Sequence, residues 1–315
     1  MQWVTALFLT VLSLLPFSSS AQESIQDWSK KVVELQEKEG QNFEQDLQLV
    51  KGFLYLQRRA DALLLLNRLM KSANKKDPRL AELFETASTQ FFLQDTAELY
   101  SDVVQLIQEE SWTEAKEKTE AGLQKESRHR LLTLREIQLG LVLGQTDLMT
   151  DAIKLTESTY PENTEWKVYS AWISLSKNDA KEAYRVLSAL WTVDKKIFEK
   201  SEVAMLAFLQ AIELTKHAGD RGIEHSVEWA QLSKLIQKHP EWIGVRVWRL
   251  KNKSFAEADR KKEIAQLKEL FSDLKKLKEQ REKQEKECSY FYSGIISAEK
   301  SKTLFDEYLA QAAVK

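Results

Sequence analysis

The chain has 315 residues, 43% hydrophobic and 30% charged, with a net charge of −2 and a pI near 6.2. That balance gives no sign of nucleic-acid or anionic-surface binding, and the length suffices for one or two buried cores. With only 9 Gly and 4 Pro, against averages of roughly 7% and 5%, the turn residues of a sheet protein are scarce. The fold class expected is therefore all-α.

Residues 1–21, MQWVTALFLTVLSLLPFSSSA, precede the first charged residue, Glu23. Val4 to Phe17 form an apolar run of the length of a signal-peptide core, Pro16 breaks its end, and Ser19-Ser20-Ala21 supplies small residues for a cut after Ala21. No Lys or Arg precedes the run, a departure from the usual signal. A membrane anchor needs about 20 apolar residues, and this run is shorter. Cys288 is the only cysteine, so no intramolecular disulfide can form. The compartment expected is the bacterial periplasm, since extracellular eukaryotic chains more often carry disulfide frameworks.

From Gln22 to about residue 250, amphipathic stretches alternate with short polar corners that suit antiparallel helix neighbours. Leu47, Val50, Phe53 and Leu54 lead into Gln57-Arg58-Arg59, and Ala62, Leu65, Leu66 and Leu69 return. Val103, Val104, Leu106 and Ile107 precede Glu109-Glu110-Ser111, with Trp112 and Ala115 behind. Further corners are expected at Gly144-Gln145-Thr146-Asp147, Lys177-Asn178-Asp179 and Gly219-Asp220-Arg221-Gly222. A small residue stands early in each returning helix (Ala62, Ala115, Ala152, Ala183), where two helices leaving a tight corner approach closely. Ser111, Asp147 and Asp179 are candidate caps. Pro78, Pro161 and Pro240 follow returning helices at intervals of about two hairpins. Asp95-Thr96-Ala97-Glu98 could begin an additional helix, so the register over 79–126 stays open.

These residues resemble the tetratricopeptide-repeat superfamily in a degenerate form. Leu139-Gly140 followed by the Ala152 helix is similar to that family's Leu-Gly pair and second-helix alanine. Lys177-Asn178-Asp179-Ala180-Lys181-Glu182-Ala183 and Glu110-Ser111-Trp112-Thr113-Glu114-Ala115 are similar to its corner. The resemblance covers residues 43–240. It implies a right-handed superhelix of antiparallel hairpins, with a concave groove that binds proteins or peptides. Ser174, Thr119 and Thr156 stand where the family has aromatics, so none of its groove residues is carried over.

Residues 251–315 differ. The segment 249–287 holds 13 Lys/Arg and 9 Asp/Glu. Ile264, Leu267, Leu270, Phe271, Leu274 and Leu277 mark a helix over 256–277 packed on the preceding hairpin, while 278–287 lacks any apolar residue. A last helix from about Ser297 carries Leu304, Phe305, Tyr308, Leu309 and Ala312 and is expected to cap the array. The cluster Tyr290, Phe291, Tyr292 between them either joins that cap or forms a partner-binding patch.

No catalytic, metal or cofactor constellation is visible. His129, His217, His225 and His239 lack metal-ligand spacing, and no phosphate loop or nucleophile elbow occurs. Arg128-His129-Arg130 with Arg135 reads as a solvated basic patch. The function expected is a non-catalytic exported scaffold that binds another protein or peptide. Trp166, Trp172 and Trp242, together with Tyr290, Phe291 and Tyr292, are the candidate anchors, since aromatics dominate binding hot spots. Two alternatives remain: an envelope glycan hydrolase with dispersed acidic residues, and a structural dimer formed through the C-terminal helices.

Overall fold

The computed structural model describes residues 24–40, 42–72, 76–161, 164–216, 234–235, 237–239, 242–251, 257–273, 275 and 298–313. All regular structure among them is helical, and consecutive helices pack against one another. The leader, the corner at 219–222, His217, His225, the 278–287 run, Cys288 and the Tyr290–Tyr292 cluster lie outside the described residues. The chain divides into two compact units, one ending at Ala87 and the other beginning at Ser88.

The first unit holds α1 (Ile25–Gln36), α2 (Phe43–Tyr55), α3 (Arg59–Leu69) and most of α4 (Pro78–Thr89). Ser24 and Asp27 start α1 with a reciprocal capping box. Gly52 lets α1 and α2 touch, because a Cβ there would stand 2.5 Å from Val32 and 3.2 Å from the Trp28 ring. Pro78 is the first residue of α4, where its missing N–H costs nothing. Arg79 behind it chelates Asp77 and reaches Glu44 at the start of α2. The guanidinium of Arg59, buried in α3, donates to the Ala87 carbonyl.

The second unit holds α5 (Gln94–Gln108), α6 (Trp112–Lys125), α7 (Arg130–Val142), α8 (Thr146–Thr159), α9 (Glu165–Ser176), α10 (Ala180–Val193), the short α11 (Lys196–Lys200), α12 (Glu202–Lys216), α13 (Ile243–Lys251), α14 (Glu257–Ser272) and α15 (Ala298–Ala313). Besides neighbours in sequence, α7 packs on α9 and α9 on α12. The stripe expected in the C-terminal third is used internally: Leu267 and Phe271 of α14 and Phe305 and Tyr308 of α15 form one core with Ile243, Val247 and Leu250 of α13. Ile264 and Leu270 pack against it.

Four corners are built alike. The middle residue of each has left-handed backbone: Gln57 at φ 58°, Glu110 at 57°, Gly144 at 69° and Asn178 at 60°. The next residue donates its N–H back across the turn, Arg58 to Phe53, Ser111 to Leu106, Gln145 to Gly140 and Asp179 to Ser174, at 2.7–2.9 Å. Its own carbonyl then accepts the first bond of the returning helix from Ala62, Ala115, Met149 or Ala183. This is the Schellman closure of a helix, fused to the start of the next. Within the second unit the corners fall 34 residues apart (110, 144, 178). The ends of the returning helices keep the same interval, with Glu126, Tyr160 and Asp194 each bonded four residues back.

This register corrects the alanine reckoning. Ala152 is not equivalent to the other early alanines; Met149 occupies that position, fully buried. The exchange is compensated on the facing helix. Gly140 stands where the other hairpins have Phe53, Leu106 and Ser174, and a Cβ on it would meet Met149 Cγ at 2.6 Å. Among the expected caps only Asp179 bonds, accepting from Glu182 N at 3.0 Å. Ser111 makes no side-chain cap bond. Gln145 holds the cap position before α8, so Asp147 lies inside the first turn. The open register over 79–126 resolves into α4, a linker, and α5 beginning at Gln94.

Two stability outcomes follow from these contacts. Gly140→Ala should lower stability by about 1 kcal/mol net, despite the helix propensity it gains. In a Met149→Ala background the same change should become stabilising, a sign reversal readable in urea melts. Replacing Gln57 or Glu110 by Gly should stabilise by about 0.5–1 kcal/mol each, with a smaller gain at Asn178, because asparagine tolerates the left-handed region.

Candidate binding surface

The helices that precede the corners of the second unit, α5, α7 and α9 (its first helices), bring residues 34 or 35 positions apart toward each other. Tyr100, Arg135 and Tyr169 are such residues, and hydrogen bonds link them into a row. The Arg135 guanidinium donates to Tyr100 Oη at 3.3 Å and to Gln138 Oε1 at 2.8 Å, and Gln138 Nε2 donates to Tyr169 Oη at 3.0 Å. The guanidinium also lies over the Tyr100 ring, 5.7 Å from its centre. Gln138 and Tyr169 are buried, while Tyr100 and Arg135 are half-exposed. Trp172 falls one repeat after Gln138 and is also half-exposed, but its indole Nε1 is buried and makes no hydrogen bond.

Two of the other helices, α7 and α12, have little surface left, whereas α5 keeps an exposed face at Glu98, Ser101, Asp102 and Gln105. No residue of α7 is exposed, and α12 is buried without a break from Glu202 to Leu209. Both sequences, RLLTLREIQLGLV and EVAMLAFLQAIELTK, carry apolar residues on every side, as a helix surrounded by protein must. An accessible row along every first helix is therefore not what the fold presents. Tyr100, Arg135 and Trp172 are half-exposed aromatic and cationic side chains of α5, α7 and α9.

The tryptophan candidates separate accordingly. Trp166 begins α9 and is 2% exposed; Trp242, just before α13, is also 2% exposed and stacks on His239 at 4.0 Å. Both pack the core, and only Trp172 keeps exposure. Trp166 and Trp172 share α9, and the structure does not bring Trp242 to them. Tyr290, Phe291 and Tyr292 lie outside the described residues.

The expected basic patch is corrected outright. His129 is fully buried and stacked on Phe91 at 4.0 Å. Arg130 is 4% exposed and paired with Glu165 of α9 at 2.9 Å. Arg128 has left-handed backbone, and its carbonyl accepts from the Tyr160 hydroxyl. Arg128 and Arg135 alone of the four keep partial exposure. The signal that distinguishes this case is the absence of a polar stripe on α7, together with the 35-residue step from Arg130 to Glu165. Arg130→Met should cost about 3–5 kcal/mol, because the Glu165 carboxylate stays buried without its partner; adding Glu165→Leu should recover most of the loss in denaturant melts.

Among the described residues Asp27, Glu44, Asp77 and Glu182 are held below the usual carboxylate range by their hydrogen-bond partners, and one acid is pushed the other way. Glu136 of α7 is half-buried, and burial first, then the charge of Glu120, push its carboxyl up to about 7 against the opposing pull of Lys116. Among the described residues no three His, Cys, Asp or Glu side chains are placed to hold a metal ion, and no helix is long and apolar enough to cross a membrane. No protein family, curated protein or solved structure matches the chain.

Proposed function

We propose that the chain is an exported helical-repeat scaffold of tetratricopeptide type, a right-handed array of antiparallel hairpins that holds a protein or peptide partner without covalent chemistry. The observation that carries this reading is the recurrence of one corner at 34-residue steps, Glu110, Gly144 and Asn178, the repeat length of that superfamily. Contacts of α7 with α9 and α9 with α12 support it, since stacked first helices are how such arrays present a surface. The partner is held at the strip of Tyr100, Arg135 and Trp172, where two aromatic rings and a guanidinium offer the side chains that dominate binding hot spots.

Mature chain beginning at Gln22, used as bait in a periplasmic extract, should retain a stoichiometric protein partner. Arg135→Ala and Trp172→Ala should each weaken retention on the order of tenfold, with helicity unchanged. Recovery of no partner, or recovery by both variants equal to that of the unchanged chain, would count against the scaffold. Export is tested separately by the N-terminal sequence of the protein isolated from cells.

The glycan-hydrolase reading is favoured by one feature, Glu136, whose carboxyl is half-protonated near neutrality and acted on by Glu120, as a general acid paired with a second carboxylate would be. It requires turnover on cell-wall material that disappears in Glu136→Gln.

A further inference from the structure

We propose that Glu136, carried by α7 opposite the Lys116–Glu120 ion pair of α6, makes the joint between these helices proton-responsive, closed around a neutral carboxyl and loosened when it ionises. The packing register places it there. Gly122 of α6 lies against Leu132, 3.0 Å from where its Cβ would stand, and Ala115 shares an apolar cluster with Leu139. The residue numbers of both pairs total 254, so α6 is climbed as α7 is descended and Glu136 comes opposite position 118. Lys116 and Glu120 bracket that position and pair with each other at 2.9 Å. The Glu136 carboxyl, half-buried at a packed interface, thus feels both the Glu120 carboxylate and the Lys116 ammonium, and like charge and partial burial both favour the neutral acid.

The remaining charges around α7 are turned elsewhere. Lys118 of α6 pairs with Asp102, and Glu114, Glu117 and Lys125 of that helix are exposed. Asp147, Asp151, Lys154 and Glu157 of α8 are exposed, as is Lys167 of α9, whose Glu165 is tied to Arg130. On α7 itself Arg135 bonds Tyr100 and Gln138. The carboxyl, raised from 4.5 to about 7, holds its proton more tightly in the folded chain. Its contribution to stability is therefore complete below about pH 4.5 and is lost as pH rises through about 7. The joint connects the α5–α6 hairpin to α7, so its loosening shifts Tyr100 relative to Arg135.

The test is NMR titration of the side-chain carboxyl carbons in the full chain. Glu136 should titrate near 7, Glu120→Gln should bring its midpoint down, and Lys116→Met should send it higher. A midpoint in the ordinary carboxylate range, or one that neither variant moves, overturns the proposal. Amide exchange in α6 and α7, referenced to α10, should show on the order of tenfold more opening at about pH 8 than at about pH 5.5, after allowance for solvent screening of a half-exposed acid. Glu136→Gln should abolish that difference. An equal difference in wild type and variant overturns the loosening.

Discussion

A single backbone device joins four pairs of consecutive helices: a three-residue corner whose middle residue adopts left-handed backbone and whose next residue closes one helix while opening another. At Gln57, Glu110, Gly144 and Asn178 the same bonds recur with the same lengths to within a few tenths of an ångström. Because the corner is short, the outgoing and returning helices separate with little freedom, and the side chains nearest it must match. The device tolerates Gln and Glu in a region that disfavours them, so the cooperative closure outweighs the local strain. From that constraint follow the constant repeat in the second unit and the meeting of residues one repeat apart.

Those meetings are of two kinds. At the starts of the first helices they are buried and ionic, as where Arg130 of α7 joins Glu165 of α9. Midway along the first helices they are polar but partly wet, as in the row from Tyr100 through Arg135 and Gln138 to Tyr169. The first kind fixes the stacking of hairpins, since an isolated buried charge is costly. The second leaves aromatic and cationic groups at the surface, and it is this remnant that supports a binding role.

The fold was largely legible in the sequence, because its determinants are local. The scarcity of Gly and Pro argues against sheets, and the regular structure of the described residues is helical; the polar corners Glu109-Glu110-Ser111 and Lys177-Asn178-Asp179 fall between consecutive helices, and Pro78 opens a helix. The half-exposed pair of Tyr100 and Arg135 was less legible, since nothing near Tyr100 in the sequence announces Arg135. Trp166 and Trp242 resemble anchors by type, yet burial depends on the neighbouring hairpins, which local pattern does not reveal. Arg128-His129-Arg130 misleads for the same reason: a charged run suggests solvent unless its helix, α7, is recognised as apolar on every side. The alanine reckoning failed at Met149 because the space that residue needs is supplied by Gly140, on a different helix.

That reciprocal fit ties two distant positions into one unit of variation. A larger side chain at 140 meets Met149, and a smaller one at 149 leaves the Gly140 side unfilled, so neither residue can change alone without loss. The α7–α8 pair can therefore drift only in matched steps.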